Sequence, residues 1–95
     1  MSGVEETTLR RLRMRSIRRG IKEMDLILSA YSERRLGALG AADVALYEDL
    51  LFENDQDLYR WVSGQDVPPD RFAPLIADIA ETAEKASRDA RSDGP

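Results

Sequence analysis

The sequence predicts an all-α fold, a compact bundle of about five short helices, and three observations carry the prediction. Apolar residues recur at spacings of three and four along most of the chain, the period of a helix with one buried face. No segment sustains the apolar–polar alternation of a half-buried strand, and no hairpin dipeptide separates two alternating runs. Glycines and prolines fall mainly between the periodic segments, which are short and joined by short loops, as in an antiparallel bundle. Ninety-five residues amount to one domain with a modest core, expected over about residues 9–88 with flexible termini and no internal repeat.

The elements follow in order. After a loose polar start over residues 1–7, Thr7 or Thr8 is placed to cap a short helix ending near Arg15. Ile17, Ile21, Met24, Leu28 and Tyr31 then form one apolar stripe, widened by Leu26 and Ile27, which predicts a helix over about 17–35. Gly37 and Gly40 stop it. A third helix starts at Ala41 to Asp43, with Val44, Tyr47, Leu50 and Leu51 facing inward. Asn54-Asp55-Gln56-Asp57 interrupts the pattern with turn and capping residues, and a fourth helix through Leu58, Trp61 and Val62 ends at Gly64. Pro68 and Pro69 make a stiff connector. Asp70 is expected to cap the last helix, with Pro74 in its first turn, where proline is tolerated. Phe72, Leu75, Ile76, Ile79, Ala83 and Ala86 keep helical spacing to about residue 88, before a frayed tail at Ser92-Asp93-Gly94-Pro95.

Composition removes whole classes of chemistry. The chain has neither cysteine nor histidine, so thiolate nucleophiles, disulfides and the usual zinc ligands are excluded, together with the commonest general acid–base. The serines have no histidine to activate them, and the expectation is a protein that is not an enzyme, with no catalytic residues. No run approaches the ~20 apolar residues of a membrane span. The N-terminus lacks the apolar region of a secretory signal, and Glu5 and Glu6 count against a transit peptide. A cytoplasmic protein that does not insert into a membrane is the expectation.

The net charge of −4 conceals a split: residues 1–22 carry +5 and residues 23–95 carry −9. The arginines at 10, 11, 13 and 15 therefore form a basic patch on an acidic body. Such a patch grips nucleic-acid phosphates in one reading and forms a rim for an acidic protein surface in another. The absence of a helix-turn-helix spacing and the apolar face of residues 17–35 favour the protein partner. The acids Glu48, Asp49, Glu53, Asp55 and Asp57 lack the alternation, central glycine and terminal glutamate of a calcium loop, and read as a solvated face plus a cap, with no metal site. Trp61, with Tyr59, is read as core first and as a binding anchor second.

The most informative stretch is Arg18-Arg19-Gly20-Ile21-Lys22-Glu23-Met24-Asp25. As a helix it sets Arg19 and Glu23 one turn apart with Gly20 beside them. A helical glycine costs roughly 1 kcal/mol, and Arg19 before Glu23 is the weaker order for a helical ion pair. Neither choice favours the helix, whereas a flat spot between opposite charges suits a macromolecular partner.

The run Arg18 to Leu26 resembles the signature of the SdhE/YgfY family, FAD assembly factors of succinate dehydrogenase, whose motif is Arg-Gly-x-x-Glu. A second block, Tyr47-x-x-Leu50-Leu51-x-Glu53-x-Asp55-x-Asp57-Leu58-Tyr59-x-Trp61, is similar to the family's downstream pattern, so the resemblance spans roughly residues 9–80. Leu39-Gly40-Ala41-Ala42-Asp43 and Tyr59 depart from that pattern, at a cap and at an aromatic position usually held by Phe. The resemblance implies a bundle of about five helices that binds the flavoprotein subunit of succinate dehydrogenase, and in some bacteria of fumarate reductase. It implies that covalent attachment of FAD to a histidine of that subunit is promoted, with no cofactor held tightly by the chain itself. Carried onto this sequence, the partner-binding residues are Arg19, Gly20 and Glu23, with Arg18 and Asp25 adjoining. The missing histidine is consistent with this, because the flavinylated residue belongs to the partner.

Overall fold

The computed structural model describes residues 4–92, with side chains as far as Ala90. Among the described residues there are five helices: α1 (Glu6–Arg15), α2 (Lys22–Arg34), α3 (Ala41–Leu50), α4 (Asp55–Val62) and α5 (Ala73–Ser92). Short 3-10 turns at Leu36–Ala38 and Asp70–Phe72 precede α3 and α5. Among the described residues there is no strand, as the periodicities predict.

Helix α2 is the hub, because it packs on α1, α4 and α5, and most extensively on α5. Its inner face follows the expected stripe: Met24, Leu28 and Tyr31 are fully buried, at i, i+4 and i+7. They meet Leu12 from α1, Val44, Tyr47 and Leu50 from α3, Leu58 from α4, and Leu75, Ile76 and Ile79 from α5. The Tyr31 and Tyr47 rings pack 5.5 Å apart in tilted contact, a favourable aromatic geometry. Each buried tyrosine hydroxyl finds a partner: Tyr31 donates to Asp78 of α5 at 2.7 Å, and Tyr47 shares a 2.6 Å hydrogen bond with Ser16. Arg35 reinforces the first of these by bonding Asp78 at 3.1 Å. Among the described residues no buried side-chain nitrogen or oxygen lacks a partner, the condition a low-dielectric interior imposes.

The boundaries depart from expectation where local rules compete. Helix α1 starts at Glu6 with Glu5 as its N-cap and no side-chain cap bond, so neither Thr7 nor Thr8 caps it. Asp70 is likewise not the cap of α5; it lies in a 3-10 turn closed by the Phe72 amide on the Pro69 carbonyl, and α5 begins at Ala73. Asn54 does cap α4, its side chain accepting from the Gln56 amide at 2.8 Å. Helix α5 continues past residue 88 to Ser92, while Asp93, Gly94 and Pro95 of the tail expected to fray lie outside the described residues.

The largest correction concerns residues 17–21, expected to be helical. The chain leaves α1 at Ser16 and re-enters a helix only at Lys22, so Ile17 and Ile21 bury their side chains only in part, from a loop. The break is made at Arg18, which adopts the left-handed backbone conformation at φ 60°, while Ser16 just before it keeps helical dihedrals and turns its hydroxyl back onto the Leu12 carbonyl at 2.7 Å.

Candidate functional site

The loop between α1 and α2 carries Arg18, Arg19 and Gly20, and two carboxylates fix its shape. Asp25, in the first turn of α2, accepts the Arg18 backbone N–H at 2.8 Å, which holds the left-handed residue in place. Asp55, at the start of α4, takes the loop from the other side. Its Oδ1 accepts from Arg19 Nε at 2.9 Å, and its Oδ2 accepts the Gly20 backbone N–H at 2.6 Å. The remaining guanidinium N–H groups of Arg19 reach the Arg15 carbonyl at 2.8 Å and the Leu51 carbonyl at 3.0 Å. One planar fork thus joins the end of α1, the end of α3 and the start of α4, which suits the delocalised geometry of arginine.

Arg19 and Glu23, expected on one face of one helix, are therefore separated in kind. Arg19 is turned inward, its side chain only 12% exposed. Glu23 stands exposed in the first turn of α2, where its charge suits the positive end of the helix dipole, and it makes no ion pair among the described residues. Arg18, Gly20 and Lys22 are exposed beside it, while Asp25 is partly buried beneath. Glu23 also lines the mouth of a shallow apolar groove of about 470 Å³ between α2 and α5, whose walls include Leu26, Ile27 and Tyr59. Leu26 is 63% exposed, so a large apolar side chain adjoins the charged corner.

The basic patch is less free than its sequence suggests. Arg11 bonds Glu48 at 2.7 Å, and Arg15 lies 3.7 Å from the same carboxylate while covering the exposed Phe52 ring at 4.2 Å. The Arg11 hydrogen bond holds the Glu48 carboxyl below the usual carboxylate range. Together with Arg19, three of the cations of residues 1–22 are engaged inside the molecule. The acidic run is engaged as well: Asp49 pairs with Arg71, Asp55 with Arg19, and Asp57 with Arg60. Among the described residues no group of three His, Cys, Asp or Glu side chains is set to hold a metal ion. None of the helices there is long and apolar enough to cross a membrane. Trp61 is half-buried against the core and packs on Phe72 at 6.2 Å, which accords with the core reading.

Sequence reasoning missed Asp55 as the organiser of this corner. Its residue type signalled a cap, but the loop it holds lies 35 and 36 positions earlier, a distance no local pattern spans.

Compared with known proteins, residues 10–83 match a family model described as flavinator of succinate dehydrogenase. Among curated proteins, the chain is 34% identical over 89 residues to succinate dehydrogenase assembly factor 2-B, mitochondrial, of Drosophila mojavensis, covering 87% of this chain and 57% of that one. It is 35% identical over 92 residues to succinate dehydrogenase assembly factor 2, mitochondrial, of Yarrowia lipolytica, covering 90% and 63%. The Komagataella phaffii protein of the same name is 41% identical over 66 residues, covering 68% and 35%. The chain thus spans less than two thirds of the length of each of these relatives.

Proposed function

The chain belongs to the family of succinate dehydrogenase flavinators, and from that premise we propose that it binds the flavoprotein subunit of succinate dehydrogenase and promotes covalent attachment of FAD to a histidine of that subunit. The observation that carries the reading is the exposed edge formed by Arg18, Gly20, Lys22 and Glu23, held in one shape by Asp25 and Asp55. A loop fixed by carboxylate hydrogen bonds loses little conformational freedom on binding, which is what a preorganised interface requires. Glu23 supplies a charged acceptor that pairs with no cation among the described residues, for a cationic or N–H group of the flavoprotein.

In this proposal the chain acts without turnover of its own. Flavinylation needs the acceptor histidine and the flavin ring of the partner held in reactive geometry. By binding that arrangement more tightly than others, the chain shifts the flavoprotein's population toward it. The acceptor is the partner's, since this chain contains no histidine, and no tightly bound cofactor of its own is invoked. Fumarate reductase is included as a second flavoprotein client. The cytoplasmic location expected from sequence belongs to the same proposal; the relatives are named as mitochondrial, and fractionation of the source cell decides between the two compartments. The nucleic-acid reading is disfavoured, because Arg11, Arg15 and Arg19 are occupied by internal carboxylates.

The test is covalent flavin on the flavoprotein subunit, read by in-gel fluorescence in cells whose own copy of this chain is replaced by variants. Gly20→Arg and Glu23→Ala are expected to abolish or strongly reduce the signal, and Arg10→Ala, on the exposed side of α1, to leave it unchanged. Normal flavinylation by both Gly20→Arg and Glu23→Ala, each shown to be folded by circular dichroism, defeats the proposal.

A further inference from the structure

We infer that Asp55 is a positioning residue of the binding surface, and that position 20 is glycine to admit the Asp55 carboxylate rather than to admit the partner. The inference rests on the reading that the Arg18–Asp25 corner meets the flavoprotein.

Three observations carry it. First, both carboxylate oxygens of Asp55 are committed to consecutive residues of the loop, Oδ1 to the Arg19 guanidinium and Oδ2 to the Gly20 amide. Asp55 can do this because it is the first residue of α4, behind the Asn54 cap, so its backbone is fixed and its short side chain has few rotamers. Second, a Cβ added at Gly20 lies 3.1 Å from Asp55 Oδ2, closer than an ordinary contact. A methyl group there pushes the carboxylate back by a few tenths of an ångström, against its 2.6 Å bond to the Gly20 amide. Gly20 does not have the positive φ that marks Gly64, so its backbone is open to other residues, and the tight contact with Asp55 is what a side chain there meets. Third, Arg19 directs its donors at Asp55, Arg15 and Leu51, and with its side chain 12% exposed it has little to offer a partner. The arginine and glycine of the motif thus serve the shape of the loop, and the contact surface is the edge they present: Arg18, the outer face of Gly20, Lys22 and Glu23.

The experiment is the affinity of each purified, folded variant for the purified flavoprotein subunit, arranged as a double-mutant cycle between positions 20 and 55. Asp55→Ala is expected to weaken binding at least tenfold. Gly20→Ala is expected to weaken it similarly in the parent, but by less than twofold when Asp55 is already alanine, because the methyl group then displaces nothing. The Gly20 amide proton supplies an independent signature: in Asp55→Ala its resonance moves upfield and its exchange with solvent accelerates. If Asp55→Ala does not fold, Asp55→Ser serves as the background, removing the carboxylate that a methyl group at position 20 meets while keeping a short polar side chain at the start of α4. Equal losses from Gly20→Ala in both backgrounds show that the glycine meets the partner directly, and overturn the inference. Parental affinity of Asp55→Ala does the same. Glu23→Ala separates this failure from failure of the functional reading, since Glu23 pairs with neither Arg19 nor Asp55. If Glu23→Ala weakens binding and Asp55→Ala does not, only the positioning role is lost; if neither does, the corner is not the interface.

Discussion

Ser16 and Tyr47 tie the start of the functional loop to α3, and their hydrogen bond makes an asymmetric prediction about stability. Ser16 has a single hydroxyl proton, which it donates to the Leu12 carbonyl at 2.7 Å. The 2.6 Å contact between Ser16 Oγ and the Tyr47 hydroxyl is therefore donated by Tyr47. Both residues are fully buried. Tyr47→Phe removes the donor and leaves Ser16 with its own proton still bonded, so its cost is that of one ordinary hydrogen bond, about 0.5–1.5 kcal/mol. Ser16→Ala removes the acceptor and leaves a tyrosine hydroxyl orphaned in the core, which adds a desolvation penalty of about 1–3 kcal/mol. We therefore expect Ser16→Ala to cost about 2–3 kcal/mol and Tyr47→Phe about 1 kcal/mol. In the Ser16→Ala background the second change should be neutral or stabilising, since it removes the orphan. The assay is urea denaturation of the four proteins; with a slope on the order of 1 kcal/mol/M for a small domain, the expected midpoint shifts are ~2–3 M and ~1 M. A Tyr47→Phe cost that is the same in both backgrounds, or larger than that of Ser16→Ala, refutes the proton assignment and the role of the pair.

Other expectations follow from the same electrostatics. Burial, and then Asp78, push the Tyr31 hydroxyl above its ordinary range, and burial raises Tyr47 to about 12. Both folded-state values lie above the ordinary 10.0, so this stability is fully present below pH 10.0 and is lost as pH rises through the folded values. The urea midpoint should therefore be level through neutral pH and fall above pH 10.0, less steeply in the Tyr31→Phe/Tyr47→Phe protein, and a level midpoint in strong alkali counts against it. The Arg34–Asp89 pair, with side chains 40% and 66% exposed, should contribute less than about 1 kcal/mol by the Arg34→Ala midpoint. Arg19→Ala, which strands a largely buried Asp55, should cost more, about 2–4 kcal/mol after discounting for partial exposure. Comparable values for the two arginines contradict the clamp. In Arg11→Ala the Glu48 carboxyl should titrate closer to its ordinary value, measured by NMR of the side-chain carbonyl carbon.

The sequence by itself determined the helices and the faces they bury. Met24, Leu28 and Tyr31, and likewise Leu75, Ile76 and Ile79, fall on the core side because helical geometry places residues three and four apart on one stripe. It also pointed to the Arg18–Asp25 stretch, whose composition serves a helix poorly. What the stretch does was decided only in three dimensions. Ile17 and Ile21 fit the periodic stripe, yet their backbone is a loop, because the Arg18 and Gly20 backbone N–H groups go to the Asp25 and Asp55 carboxylates, bonds that a helix does not supply. Arg19 and Glu23, one helical turn apart in sequence, end as an internal clamp and an exposed charge. Periodicity depends on geometry within one element, so a window of residues reveals it. The partner of a loop arginine depends on which distant helix start is packed beside it, and only the assembled bundle brings Asp55 to Arg19 and Gly20.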